Sequence, residues 1–277
     1  MKDSGRVRWE MRGRVGVITL DRPGSLNALS AAMLRELLHL LGEAASRDGA
    51  AVLVLTGAGR AFSAGIDLYE LEAVRAAGES EAEARRRLER LQDVTRRIVD
   101  GPVPVVAALN GPAVGLGAEI AAACDLRIMA RGATISFPEA RRGLSATNGA
   151  SYLLPRLVGS GRALDWLLTG REVEAEEARA AGFASAVVSA MDPGAKALEV
   201  AGIMASAAPG GVGAARRLLR ETAREALEEA LRREVEVVLE GMRSPEYEAG
   251  LRAFVERRGP ETAPRGQDRA GGRPASD

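Results

Sequence analysis

The apolar positions of this chain change period along its length. Residues 14–21 form a short β-branched run ended by Arg22-Pro23-Gly24, which predicts a strand, with residues 7–11 as its hairpin partner. Leu34, Leu37, Leu38 and Leu41 then follow the spacing of a helix with one buried face, and Ser30 stands where an N-cap belongs. Residues 51–56 and 102–109 are continuous apolar runs, the pattern of strands buried on both faces, the second with prolines at its entrance. Between them a helix is predicted from Leu68 to about Ala77. The charge-dense stretch 79–87 is expected as a solvated, mobile start to the next helix, whose stripe is Leu88, Leu91, Val94 and Ile98.

Residues 125–130 and 133–137 predict two short strands around Arg131-Gly132. Helices are expected over 150–157, 161–169, 174–181 (closed by Gly182) and 195–207, with a strand at 184–189. Pro209-Gly-Gly breaks the chain, after which 213–241 is expected to be almost continuously helical, with Leu218, Leu227, Leu231, Val235 and Val238 as apolar positions. A last helix is predicted over 245–257, and 259–277, with no bulky apolar residue, reads as a disordered tail. Strand and helix alternate in the first half and helices fill the second. The expected class is therefore α/β: a core over 1–200 followed by a helical region over 201–258, whose stripe is expected to meet another subunit or cover its own core.

Composition narrows what such a fold can do. Hydrophobic residues make up 46% and charged residues 27% of 277 residues, the balance of a soluble globular protein. Lys plus Arg and Asp plus Glu both number 38, so no net charge favours a nucleic acid, and 3% aromatic residues offer little for base stacking. The first residues are charged and no apolar run reaches spanning length, so neither a signal peptide nor a membrane partner is expected and the cytoplasm is the expected compartment. The one cysteine, Cys124, excludes an internal disulfide and a cysteine-cluster metal site, and is expected to be core packing. The one histidine, His39, falls off its helical stripe and is expected at the surface; a serine-protease triad would have to use it.

The stretch that carries candidate chemistry is Asn110-Gly-Pro-Ala-Val-Gly-Leu-Gly-Ala-Glu-Ile-Ala-Ala-Ala-Cys-Asp125. Its glycines let backbone approach a ligand, and a helix starting near Gly115 would present unpaired N–H groups to a negative oxygen. Glu119 lies one turn in. Residues 57–67 form a second glycine-rich loop before a helix. Ala61-Phe-Ser-Ala-Gly65 lacks the first glycine of a nucleophile elbow, no Gly-Lys-Ser/Thr follows either loop, and Gly115-Leu-Gly-Ala-Glu-Ile120 does not complete a dinucleotide fingerprint. Each acid also has a plain structural reading: Glu119 as a first-turn carboxylate facing the helix dipole, Glu139 as a helix-start residue after Pro138.

Over residues 7–258 these motifs, in this order, resemble the enoyl-CoA hydratase/isomerase (crotonase) superfamily. The resemblance rests on Asp21-Arg-Pro-Gly-Ser-Leu-Asn-Ala-Leu-Ser30, on 55–68, on 109–120 with Cys124-Asp125, on Phe137-Pro-Glu139, on 153–159, and on Phe254-Val-Glu-Arg-Arg258 with Pro260. It implies a repeated ββα spiral core with a helical C-terminal region, in homotrimers or dimers of trimers. It implies an acyl-CoA thioester as substrate, as in fatty acid metabolism, with no cofactor beyond the coenzyme A that the substrate carries. By position, the backbone N–H groups of Ile66 and Leu116 would form an oxyanion hole and Glu119 and Glu139 would be the catalytic acids. Asn27, Ala28, Arg60, Ala64, Gly65, Asp67 and Gly115 would border the substrate and its CoA, with Asp67 also read as a cap or loop-holding residue. The loop after the second glutamate, Ser145-Ala-Thr-Asn-Gly149, departs from the Pro-Gly or Pro-Asp of many members. An isomerase base there would find Thr147 or Asn148, which do not titrate usefully. The implied activity is hydration of a 2-enoyl-CoA. The alternatives are an enoyl-CoA isomerase, another CoA-thioester lyase of the family, and a CoA- or RNA-binding homologue without catalysis.

Overall fold

The computed structural model describes residues 5–43, 49–189 and 192–257, with backbone alone for Pro209 and residues 253–257. The tail expected over 259–277 lies outside the described residues. The first strands are β1 (Arg6–Arg12), β2 (Val15–Asp21), β3 (Val52–Gly57), β4 (Val105–Leu109) and β5 (Ala113–Val114). They are followed by β6 (Leu126–Ala130), β7 (Thr134–Ser136), β8 (Val173–Glu174) and β9 (Ala186–Val188). The helices of the first half are α1 (Ala31–Glu43), α2 (Leu68–Ala76), α3 (Glu81–Asp100) and α4 (Leu116–Ala123). Those of the second are α5 (Ala150–Val158), α6 (Ser160–Thr169), α7 (Ala175–Ala180), α8 (Pro193–Ser206), α9 (Pro209–Glu221), α10 (Arg224–Gly241) and α11 (Pro245–Arg257).

Two sheets result. The larger has the order β1-β2-β3-β4-β6-β9, antiparallel at the β1–β2 hairpin and parallel elsewhere; the smaller is β5-β7-β8. The period of two divides the parallel strands between two cores. Val52, Val54, Val106, Ala108 and Ile128 pack under Ala197, Ala201 and Ala205 of α8. Leu53, Leu55, Val105, Ala107 and Leu109 join the larger core with α1, α3 and α4. Burial on both faces explains their unbroken apolar sequence. Each fully buried Leu or Val stabilises the fold by about 1.5–3 kcal/mol.

Local chemistry sharpens one expectation and corrects another. The stretch at 79–87 is a capped helix start: Ser80 and Glu83 form a capping box, and Glu79 accepts two hydrogen bonds from Arg87. The helix expected over 213–241 breaks at Thr222-Ala223, and Pro209 opens α9 because its missing N–H costs nothing at a first turn. The stripe Leu227, Leu231, Val235 and Val238 covers the chain's own core, whereas Leu218 stays exposed. Ser30 does cap α1 through the Met33 N–H, and His39 is exposed beside Glu43.

The second half closes over the first. Asp125 receives Arg216 and Arg220 of α9, and Arg216 also donates to the carbonyls of Ile98 and Gly101. Helix α10 packs on α3 and α5, and α11 on α2 and on the 3-10 turn Pro138–Arg142.

Candidate active site

The site forms where two loops are pinned side by side. The loop after β3 is held by two asparagines. Asn27 Nδ2 donates to the carbonyls of Ala58 and Ala61, both at 2.8 Å, and Asn110 Nδ2 donates to Gly59 O at 2.8 Å and Ala61 O at 3.1 Å. Isolated bridges join Leu29 to Ile66 and Ser63 to Ala113. The second loop follows β4, pairs β5 with β7 and turns at Gly115 into α4, with the Gly115 N–H donating to Ser136 O at 2.9 Å.

At two positions only glycine serves. Gly65 has φ +87°, and a Cβ there would lie 2.6 Å from Val114 O and 3.3 Å from Leu116 N. Gly115 has φ +53°, and a Cβ there would lie 2.7 Å from Glu139 Oε1. Left-handed backbone and close approach together exclude a side chain. The first contact sets the Gly65–Ile66 backbone against the start of α4; the second sets Glu139 at the same helix start. Among the described residues neither the Ile66 N–H nor the Leu116 N–H donates to an acceptor. The opposite end of α4 is closed: the buried Arg127 guanidinium donates to the carbonyls of Ala121, Ala122 and Cys124. Helix α4 therefore presents unpaired N–H groups and the positive end of its dipole at the site, with its negative end compensated.

Two carboxyl groups share this corner. Glu119 is 1% exposed; its Oε1 accepts from Thr147 N at 2.7 Å and Asn148 N at 3.2 Å, and Asn148 Nδ2 lies 3.4 Å from Oε2. Burial raises its carboxyl above the ordinary range, against the donors of Thr147 and Asn148, which favour the ionised form. Glu139 follows β7 on the 3-10 turn. Its Oε2 is enclosed and has no hydrogen-bond partner among the described residues. Burial, and then the Glu119 charge, push it up to about 8. The environment thus separates two residues of one type. Three donors favour the ionised form of Glu119 against the effect of its burial, whereas Glu139, with no partner at Oε2, is the one pushed up to about 8.

The other residues expected at the site divide. Gly65 and Gly115 shape it, Ala64 lies half-buried between the bridges, Ala28 is half-buried on the neighbouring loop, and Arg60 is exposed on the loop after β3. Asn27 and Asp67 both hold the loops, the role expected of Asp67. Asn27 is fully buried with its amide spent on loop carbonyls, and its Oδ1 accepts from Arg22 N. Asp67 caps α2 through Tyr69 N and Glu70 N and pairs with Arg22 at 2.6 Å, which draws its carboxyl below the usual range against the cost of burial. Cys124 is buried, its thiol pushed up to about 12 by burial, and is core packing as expected.

Three contributors escape sequence reading: the Thr147 and Asn148 N–H groups, Arg127, and Glu234 on α10. Backbone donors carry no side-chain signature. Arg127 sits in a predicted strand, where it reads as an outward charge. For Glu234 a signal exists: it occupies the apolar stripe between Leu231 and Val235.

Comparison with known proteins identifies the family. A family model described as enoyl-CoA hydratase/isomerase matches residues 10–263. A short-chain-enoyl-CoA hydratase of Clostridium acetobutylicum is 32% identical over 90% of this chain and 94% of its own length. A 4-chlorobenzoyl coenzyme A dehalogenase of an Arthrobacter species is 35% identical over 87% of each. The crystal structure of an enoyl-CoA hydratase/isomerase from Pseudoalteromonas atlantica superposes with a TM-score of 0.81 at 30% identity, over 93% of this chain and 99% of the other. With a family model over most of its length, relatives above 30% identity and the same fold, this chain belongs to the enoyl-CoA hydratase/isomerase (crotonase) superfamily of enzymes that act on acyl-CoA thioesters.

Proposed function

We propose that this enzyme hydrates the C2=C3 bond of a 2-enoyl-CoA thioester. The observation that carries the reading is the pair Glu119 and Glu139 at the start of α4, one held by three donors and the other with its Oε2 unpartnered, beside two unpaired backbone N–H groups. The Ile66 and Leu116 N–H groups take the thioester oxygen as it gains enolate charge. One such preorganised donor is worth roughly 3–4 kcal/mol of transition-state stabilisation. Ionised Glu119 removes a proton from water as its oxygen bonds C3, and protonated Glu139 delivers a proton to C2. The product gains one water in total, and a proton passing from Glu119 to Glu139 restores the starting state. An isomerase base in the 145–149 loop finds no support: Thr147 and Asn148 serve Glu119 and neither titrates in the range required.

The test follows the conjugated thioester absorbance with crotonyl-CoA and with a 3-enoyl-CoA. Absorbance is expected to fall with the first. A rise with the second and no change with the first would establish an isomerase instead. Glu119→Gln should reduce hydration by at least about a hundredfold, and more than any isomerisation; undiminished hydration in that variant would remove Glu119 from the mechanism.

A further inference from the structure

The 147–151 segment is held from two sides by two carboxylates on elements far apart in sequence. On the inner side Glu119 takes the Thr147 and Asn148 N–H groups. On the outer side Glu234 of α10, 4% exposed, takes the Gly149 N–H at 2.7 Å, the Ser151 N–H at 2.9 Å and the Ser151 hydroxyl at 2.5 Å. Helix α5 begins here with Gly149 at its cap and no capping side chain of its own, so Glu234 supplies the missing cap from another helix. Two side chains of α3 complete the brace: Gln92 donates to Thr147 O at 2.8 Å and to Leu231 O at 2.7 Å, and Thr95 donates to Asn148 O at 3.0 Å.

Resting on the hydratase reading above, we propose that Glu234 is a positioning residue for the reaction: from the C-terminal region it fixes the loop whose N–H groups orient Glu119. A neutral cap would satisfy the same donors. A second buried carboxylate near Glu119 costs folding free energy, because like charges in a poorly solvated interior repel. The fold nevertheless puts one there, and burial together with the Glu119 charge pushes Glu234 up to about 7. The groups facing it are Glu119 from α4 and Ser151 from α5. From α3, Arg85 and Arg96 are engaged with Glu236 and Glu228 on other faces of α10.

The experiment measures kcat and KM for crotonyl-CoA across pH in the wild type, Glu234→Gln and Glu234→Ala. A displaced catalytic group loses on the order of a hundredfold in rate, so Glu234→Ala should lose about that in kcat with KM unchanged. Glu234→Gln keeps one acceptor for the loop and removes the charge. It should recover most of kcat and move the acid limb of the rate profile to lower pH, because Glu119 ionises more easily once its like-charged neighbour is gone. Wild-type kcat and an unmoved acid limb in both variants would overturn the proposal, as would a loss confined to KM. Should Glu234→Ala fail to fold, the acid limb of Glu234→Gln decides. If the wild type does not hydrate crotonyl-CoA, the hydratase reading falls separately. Hydrogen exchange then tests the brace: the Thr147 and Asn148 amides should exchange faster in Glu234→Ala than in the wild type or Glu234→Gln, and unchanged protection in Glu234→Ala would overturn it.

Discussion

At the scale of single residues, three buried glutamates dominate the electrostatics, and their cost is visible in how stability should vary with pH. Burial raises all three carboxyls, Glu139 to about 8 and Glu234 to about 7. A carboxyl raised in the folded state binds more protons there than in the unfolded chain, between the unfolded value of about 4.5 and its folded value. Folding stability from these groups is therefore full below about 4.5 and falls as pH rises toward 8. Glu139→Gln removes a carboxyl that burial pushes up to about 8, so its thermal midpoint should decline less than the wild type's between pH 6 and pH 8.5; parallel curves would show that Glu139 is not held protonated by the fold. Which glutamates mattered was only partly legible in the sequence. Glu119 announces itself by standing in a run of Gly, Ala and Ile, and Glu139 by its place in the motif order. Glu234 lies in a charge-rich helix, and its importance depends on a contact with Gly149 that no local pattern encodes.

At the scale of elements, period and punctuation carried most of the information. The parallel strands read as continuous apolar runs because they face α8 on one side and α1, α3 and α4 on the other. The stretch at 79–87 is the helix start expected of it, and its polar groups are also paired: Ser80 with Glu83, Arg87 with Glu79, Arg85 with Glu236. The two loops of the site meet through backbone, and Gly65 is the point of that meeting that lies against the start of α4. Gly65→Ala should force the Ile66 and Leu116 donors apart. Loss of one aligned donor costs about a hundred- to a thousandfold in kcat, with far-ultraviolet circular dichroism unchanged. A variant with wild-type kcat would mean that the two N–H groups do not act on a common oxygen.

At the scale of the whole molecule, the C-terminal helices are part of the site's frame as well as its cover. Asp125 ties α9 to the end of α4 through two arginines, and α10 supplies Glu234. This could not be read from the sequence, where a charged amphipathic region after residue 200 suits packing on itself or on a neighbour equally. Leu168, Leu218 and Leu219 remain 66–76% exposed on α6 and α9. Exposed apolar side chains of this size are suited to subunit contacts. Sedimentation velocity at micromolar concentration should accordingly find three or six copies, and Leu168→Asp with Leu219→Asp should shift that distribution toward smaller species; a wild-type monomer would rule the assembly out.

Arg127, at the far end of α4, has a consequence for the medium. Its guanidinium is buried against Phe183 and meets the helix carbonyls out of reach of mobile ions. Dissolved salt screens exposed charges within about 8 Å at physiological ionic strength, and buried ones far less. The compensation of the carbonyl end of α4 is therefore a property of the folded chain itself, fixed before any ligand arrives and little altered by the salt around it.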